Sequence, residues 1–314
     1  YRQTLNELLN QLDGFKKNEH VFVIAATNII ATIDPALLRP GRFTRLIEVP
    51  LPSKSGRIDV LKYYLSSIDP EKIDGNISIE RLADQTIGFS GADLSNFINE
   101  AKLLAIRAGS SQIMSTHFDE AWDKIVIGLA GDHERRKEQL LKTAYHEAGH
   151  ALVKYHFGIP IAKVTIMPRG NTMGVTRSIP KYEFLTDYSK DEWRQQIMVC
   201  QGGFMAEQVI YGQSAPGVCS DLTQANAIAK SMVYDWGMGE TMTGIAGKGF
   251  ESESMRAYCD GEAKAILESC LQETKTLLSN HLPELEKIAY SLLNNETLTG
   301  EAILDLLKES VKSL

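Results

Sequence analysis

The chain has 314 residues, 43% of them hydrophobic and 23% charged, with a formal net charge of −7. That length supports about two domains, each able to bury a core of its own, and the apolar content excludes a disordered chain. An acidic balance without a basic run argues against nucleic acid as the main partner. The densest basic stretch, His133-Glu134-Arg135-Arg136-Lys137, is interrupted by acid and reads as a solvated linker. Cys200, Cys219, Cys259 and Cys270 show no C-x-x-C spacing, so free, mostly buried thiols in a reducing compartment are expected rather than a disulfide framework. No apolar run reaches the ~18 to 20 residues needed to span a bilayer. Tyr1-Arg2-Gln3 leads straight into an amphipathic pattern, with no signal peptide. The chain therefore reads as starting in mid-domain, and any membrane anchor would have to lie upstream.

Leu5, Leu8, Leu9 and Leu12 recur at helical spacing, and Asp13-Gly14 ends that helix. His20 to Ala26 is apolar and β-rich, of the kind buried in a parallel sheet. It stops at Thr27-Asn28, which places a polar side chain at a strand's carboxyl end, where open α/β sheets bind ligands. Asp34-Pro35-Ala36-Leu37-Leu38-Arg39 predicts a short helix with proline in its first turn, followed by Pro40-Gly41-Arg42-Phe43. A further strand, Leu46 to Val49, ends at Pro50, and a helix is expected from about Arg57 to Leu65. Residues 79 to 128 continue as helices. Ser90 is an N-cap with Asp93 three residues on, ahead of Leu94, Phe97, Ile98, Ala101 and Leu104.

The string from Ala25 to Asn28 and from Asp34 to Phe43 resembles the second homology region of AAA ATPases. The resemblance implies that Asn28 positions the attacking water on ATP, and that Arg39 and Arg42 reach the γ-phosphate of a neighbouring subunit. Gly88-Phe89-Ser90-Gly91-Ala92-Asp93-Leu94 looks like the helical lid of the same ATPases, which implies that Gly91 and Ala92 lie against the nucleotide. No G-x-x-x-x-G-K-[ST] occurs in the chain. ATP with Mg²⁺ is accordingly expected of a longer protein, with this chain offering only a half-site.

Asp132 to Lys142 is charged, lacks apolar periodicity, and reads as the boundary between a first domain, 1–131, with its lid from about 76, and a second, 132–314. The second opens on His146-Glu147-Ala148-Gly149-His150, inside a proline-free helical stretch from Thr143 to Tyr155. Residues four apart on a helix lie one above the other, so the two imidazoles point the same way. They can take two corners of a zinc tetrahedron. Glu147, one step round, sits where a general base can reach a water on the metal without ligating it. The bland alternative is a surface helix that happens to carry these residues.

A catalytic zinc needs a third protein ligand. His156 has the spacing of the last metzincin histidine, but Val153 stands where those enzymes break the helix. A continuing helix puts His156 about 9 Å further along than His150 and about 120° round. Asp221 lies in the first turn of a helix striped by Leu222, Ala225, Ala229, Met232, Val233 and Trp236. The helix dipole favours a carboxylate there with or without metal, so local sequence leaves its role open.

Thr143 to Val153, Val164 to Gly170 with Gly174-Val175-Thr176, Gly202-Gly203 to Gly212, and Ser220-Asp221-Leu222 with Ala225 resemble the FtsH family of ATP-dependent zinc peptidases, in the family's order. The resemblance implies that Asp221 completes a zinc site with His146 and His150, and that Glu147 is the catalytic base. It implies a membrane-anchored hexamer, homomeric or mixed, that unfolds and cuts unfolded or membrane proteins in a closed chamber, with these domains on the reducing side of a bacterial or organellar membrane. The fold implied is a partial α/β AAA module (the C-terminal half of the ATPase core plus helical lid) followed by a mainly α zinc peptidase domain with a small β-sheet. Thr44 and Ile29-Ile30 depart from the family's usual Gly-Arg-Phe-Asp-Arg and Asn-Arg-Pro, and Gln208 replaces the second glutamate of Ala-Glu-Glu. The departures around Asn28 and Arg42 motivate an alternative, a proteolytically inactive unfoldase or assembly subunit of a mixed ring. Glu207 reads either as a carboxylate orienting a histidine or as a solvent-facing helix residue.

Ile161 to Met167 and Gly174 to Ile179 predict two strands joined at Arg169-Gly170-Asn171. An edge strand beside the zinc helix would hold an extended substrate by main-chain hydrogen bonds. From Asp260 on, Ala263, Ile266, Leu267 and Leu271 predict an all-helical bundle.

Overall fold

In a computed structural model, residues 2–14, 22–39, 41–43, 45–126, 128, 137–168, 174–178, 187–240 and 252–311 are described. The chain divides into two compact units, Tyr1–Leu51 and Pro52–Leu314.

The first unit holds helix α1 (Arg2–Gly14) and a 3-10 turn, Pro35–Leu38, whose N-cap Asp34 accepts from the Ala36 amide at 2.8 Å. The two expected strands are not formed among the described residues. The runs 22–27 and 45–50 carry no ladder, and Phe22, Ile24, Ile47 and Val49 are exposed. A strand apolar on both faces takes its order from neighbouring strands, and among the described residues this unit supplies none. His20 and Val21 lie outside the described residues.

The second unit begins with four helices around one core: α2 (Lys54–Ser66), α3 (Ile79–Gln85), α4 (Gly91–Arg107) and α5 (Ser115–Val126). Leu61, Leu82, Leu94, Phe97, Ile98 and Phe118 fill it. The expected start of α4 is present as a full capping box, Ser90 and Asp93 each satisfying the other's backbone amide. Arg57 is buried, its guanidinium donating to the carbonyls of Ala83 and Pro52.

A separate core organises the rest. Helix α6 (Lys137–His156) packs most extensively on α7 (Lys190–Tyr211), with α8 (Cys219–Tyr234), α9 (Glu253–Asn280), α10 (Leu282–Asn295) and α11 (Gly300–Val311) around them. Helix α6 starts at Lys137, six residues before the expected start, so part of the presumed boundary is helical; 132–136 lie outside the described residues. The sheet has three strands in the order β2-β1-β3, all antiparallel: β1 (Ile161–Thr165), β2 (Val175–Ser178) and β3 (Thr297–Thr299). The third strand corrects the all-helical expectation for the C-terminal segment. It is three residues long and gains its pairing from β1, so its order is tertiary rather than local. The expected turn at 169–171 lies outside the described residues. Among the described residues, no helix is long and apolar enough to cross a membrane.

Candidate metal centre

Helices α6 and α7 meet through glycines. A β-carbon on Gly149 would stand 2.3 Å from the Gly202 carbonyl oxygen, and one on Gly202 would stand 2.9 Å from that of Gly149. Mid-helix glycine costs about 0.5–1 kcal/mol relative to alanine. Here it permits a backbone approach that no side chain would allow, and the approach brings the next turn of α7 under the two histidines.

One turn of α6 separates the two rings, so they share one face. The Nε2 atoms of His146 and His150 are 3.1 Å apart, and Asp221 Oδ2, delivered from the first turn of α8, lies 3.0 Å from the first and 3.3 Å from the second. Among the described residues these three form the one group of side chains able to share a metal ion. A tetrahedral ion with bonds of about 2.0–2.1 Å sets its donors ~3.3 Å apart, so the donor set and its spacing fit zinc. The expected base, Glu147, is buried, and its Oε2 accepts from the Thr176 hydroxyl at 2.7 Å.

The rings are fixed from behind. His150 Nδ1 donates to the Val199 carbonyl at 2.6 Å, which turns Nε2 towards the cluster. His146 Nδ1 meets Glu207 Oε1 at 2.8 Å, and the other oxygen of that buried carboxylate accepts from the Ala215 amide at 2.7 Å. Burial pushes the His146 imidazole down, but its hydrogen bonds to Asp221 and Glu207 override this and raise it to about 10. Burial likewise pushes the Asp221 carboxyl up, and the two histidines hold it well below the usual carboxylate range.

A cavity of about 1010 Å³ opens on this cluster, with Glu147, Lys154, Val175, Thr176 and Cys200 in its wall. Lys154, two helical turns from His146, is buried and donates to the Thr176 carbonyl at 2.7 Å. His156 is outside the cluster; its ring lies against Phe157 and His281. Gly174, Thr176, Val199, Gly203 and Lys154 were not singled out as site residues by sequence. The only local signals for them were a glycine at the head of a strand and a glycine pair inside a helix.

The residues assigned to nucleotide are placed locally. Asn28 and Arg39 are exposed, Arg42 is half-buried and donates to the Ala36 carbonyl at 2.8 Å, Gly91 opens α4, and Ala92 is exposed.

Two imidazoles one helical turn apart, a carboxylate from a second helix and a buried glutamate beside them define a metallopeptidase of the H-E-x-x-H class. The chain belongs to peptidase family M41, whose model matches residues 133–306, preceded by matches to the AAA+ lid domain at 76–120 and to the AAA family of ATPases at 1–51. It is similar to the ATP-dependent zinc metalloprotease FtsH of Neorickettsia risticii, 39% identical over 98% of this chain and 49% of the relative. The same-named protein of Borreliella burgdorferi is 40% identical over 97% and 50%. The ATP-dependent zinc metalloprotease FTSH 11, chloroplastic/mitochondrial, of Arabidopsis thaliana is 38% identical over 96% and 38%. The chain spans about half the length of the first two relatives.

Proposed function

We propose that this chain is the proteolytic part of an ATP-dependent zinc endopeptidase, with His146, His150 and Asp221 as metal ligands and Glu147 as the general base. The observation that carries this reading is the convergence of Asp221, 75 residues from His146, on the same two Nε2 atoms. Zinc in that position supplies a Lewis acid that lowers the pKa of water towards neutrality and polarises the scissile carbonyl. Glu147 takes the proton of the attacking water and returns it to the departing amine nitrogen. Glu207 and the Val199 carbonyl keep both Nε2 atoms turned to the centre. Strand β2, an edge strand whose residues line the cavity, aligns an extended substrate by main-chain bonds, which suits unfolded chains of varied sequence.

The same proposal divides the chain into an ATPase part, 1–131, and a peptidase part, 132–314. Asn28, Arg39, Arg42, Gly91 and Ala92 serve ATP with Mg²⁺ in a hexameric ring, and a segment outside this chain ties the ring to a membrane and its unfolded or membrane protein substrates. The relatives' names and the AAA matches support this reading.

Glu147→Gln tests it. The variant should keep about one zinc per chain and lose casein cleavage by ~100-fold or more. Persistent cleavage would remove Glu147 from the role of base, and a zinc-free wild type would remove the metal.

A further inference from the structure

Strand β2 and the glycine that precedes it hold the Glu147 carboxylate on both sides. Thr176 donates to Oε2 at 2.7 Å, and a β-carbon on Gly174 would stand 2.7 Å from Oε1. Where β2 sits therefore decides where that carboxylate points. Successive residues of a strand face opposite ways. Arg177, the next residue, stacks on Trp122 of α5, its guanidinium carbon 3.5 Å from the ring centroid. Trp122 is itself fixed, donating from Nε1 to the Gln85 carbonyl at the end of α3 at 2.7 Å.

The contact has a second point. Lys163 of β1 is the cross-strand partner of Arg177 and pairs with Asp123 at 2.7 Å; Asp123 and Arg177 are buried. Two cations opposite each other on a ladder repel. This pair is compensated from outside the sheet, by a carboxylate and an aromatic face on consecutive residues of α5. A cation withdrawn from water over a tryptophan face is attracted by the ring quadrupole, which ties Arg177 to that helix.

We propose, resting on the reading of Glu147 as base, that Trp122 and Asp123 are positioning residues for peptide hydrolysis: by holding Arg177 and Lys163 they set β2, and through Thr176 the catalytic carboxylate. The helices at 54–126 then act on the chemistry mechanically, without contributing an atom to the reacting centre.

The test uses the zinc-loaded protein and a fluorogenic peptide short enough to need no unfolding, with zinc content and melting temperature measured on each variant. Thr176→Val should lower kcat by about tenfold to 100-fold with KM and zinc content unchanged, and Thr176→Ser should restore it. Trp122→Ala and Asp123→Asn should each lower kcat several-fold at unchanged KM. Trp122→Phe, which keeps an aromatic face, should recover most of the loss. The double variant Thr176→Val/Trp122→Ala should be no worse than Thr176→Val alone, because both changes act on one element. Full additivity, or an unchanged kcat in both Trp122→Ala and Asp123→Asn, would overturn the proposal. If Thr176→Val is silent while Glu147→Gln is dead, positioning through Thr176 is refuted and the base stands. If Glu147→Gln retains hydrolysis, the base reading fails and takes this one with it.

Discussion

A β-carbon built on Gly203 would stand 2.5 Å from His146 Nε2 and 2.6 Å from His150 Nε2. The floor of the candidate centre is thus a missing side chain. Gly203→Ala raises local helix propensity, yet it drives a methyl group into both donor atoms. The rings are the far ends of side chains and can swing aside, so the helix pair should survive. The expected variant is folded, with a melting temperature close to wild type, and binds zinc about 10–100-fold more weakly. Normal zinc content by metal analysis would show that the rings do not occupy these positions in the loaded protein. Gly149→Ala makes the contrast, since its methyl meets the Gly202 backbone oxygen at 2.3 Å. That cost should fall on the fold, and its melting temperature should drop.

Glu207 carries a prediction of a different kind, since it touches a proposed ligand, His146, without belonging to the donor set. Its carboxylate accepts from His146 on one oxygen and from the Ala215 amide on the other. Glu207→Gln keeps the shape but presents an NH₂ group to one of two donors, so one contact must break. Zinc affinity, measured by competition against a chelator, should fall by about 10–100-fold with little change in melting temperature. An unchanged affinity would mean that the Nδ1 contact does not orient the ring.

What the sequence made legible follows the range of the interactions concerned. The pair His146 and His150 is written at i, i+4, so one helix suffices to place both. The capping box at Ser90 and Asp93 is equally local. Asp221 could be reached only through family resemblance, because its first-turn position is favoured for reasons unrelated to metal. Nothing in the sequence showed what Thr176, Val199 and Lys154 do, because their parts depend on how β2 and α7 pack on α6. Gly203 and Gly174 were visible as glycines, but what they make room for is a distant side chain. The error at 22–26 and 46–49 came from the same source. An apolar run states that it should be buried and is silent on what would bury it.

Lys154 supplies a test that needs neither metal nor substrate. Burial lowers its ammonium to about 8, against the opposing pull of the Glu147 and Asp221 charges, while in the unfolded chain a lysine titrates near ~10.4. Below pH 8 both states hold the proton, and the cost of burying the charge is constant. Between pH 8 and ~10.4 the unfolded chain keeps a proton that the folded protein has released, so folding stability rises with pH across that window. Lys154→Met removes this contribution and also leaves the Thr176 carbonyl without its donor, so the absolute change in stability at pH 7 mixes two effects. The pH dependence of the difference does not. Urea unfolding at pH 7, 8 and 9.5 should show wild type gaining about 1–2 kcal/mol on Lys154→Met between the first and last. A flat difference would place the ammonium in water, and the wall of the cavity would then have to be redrawn with that side chain turned outward.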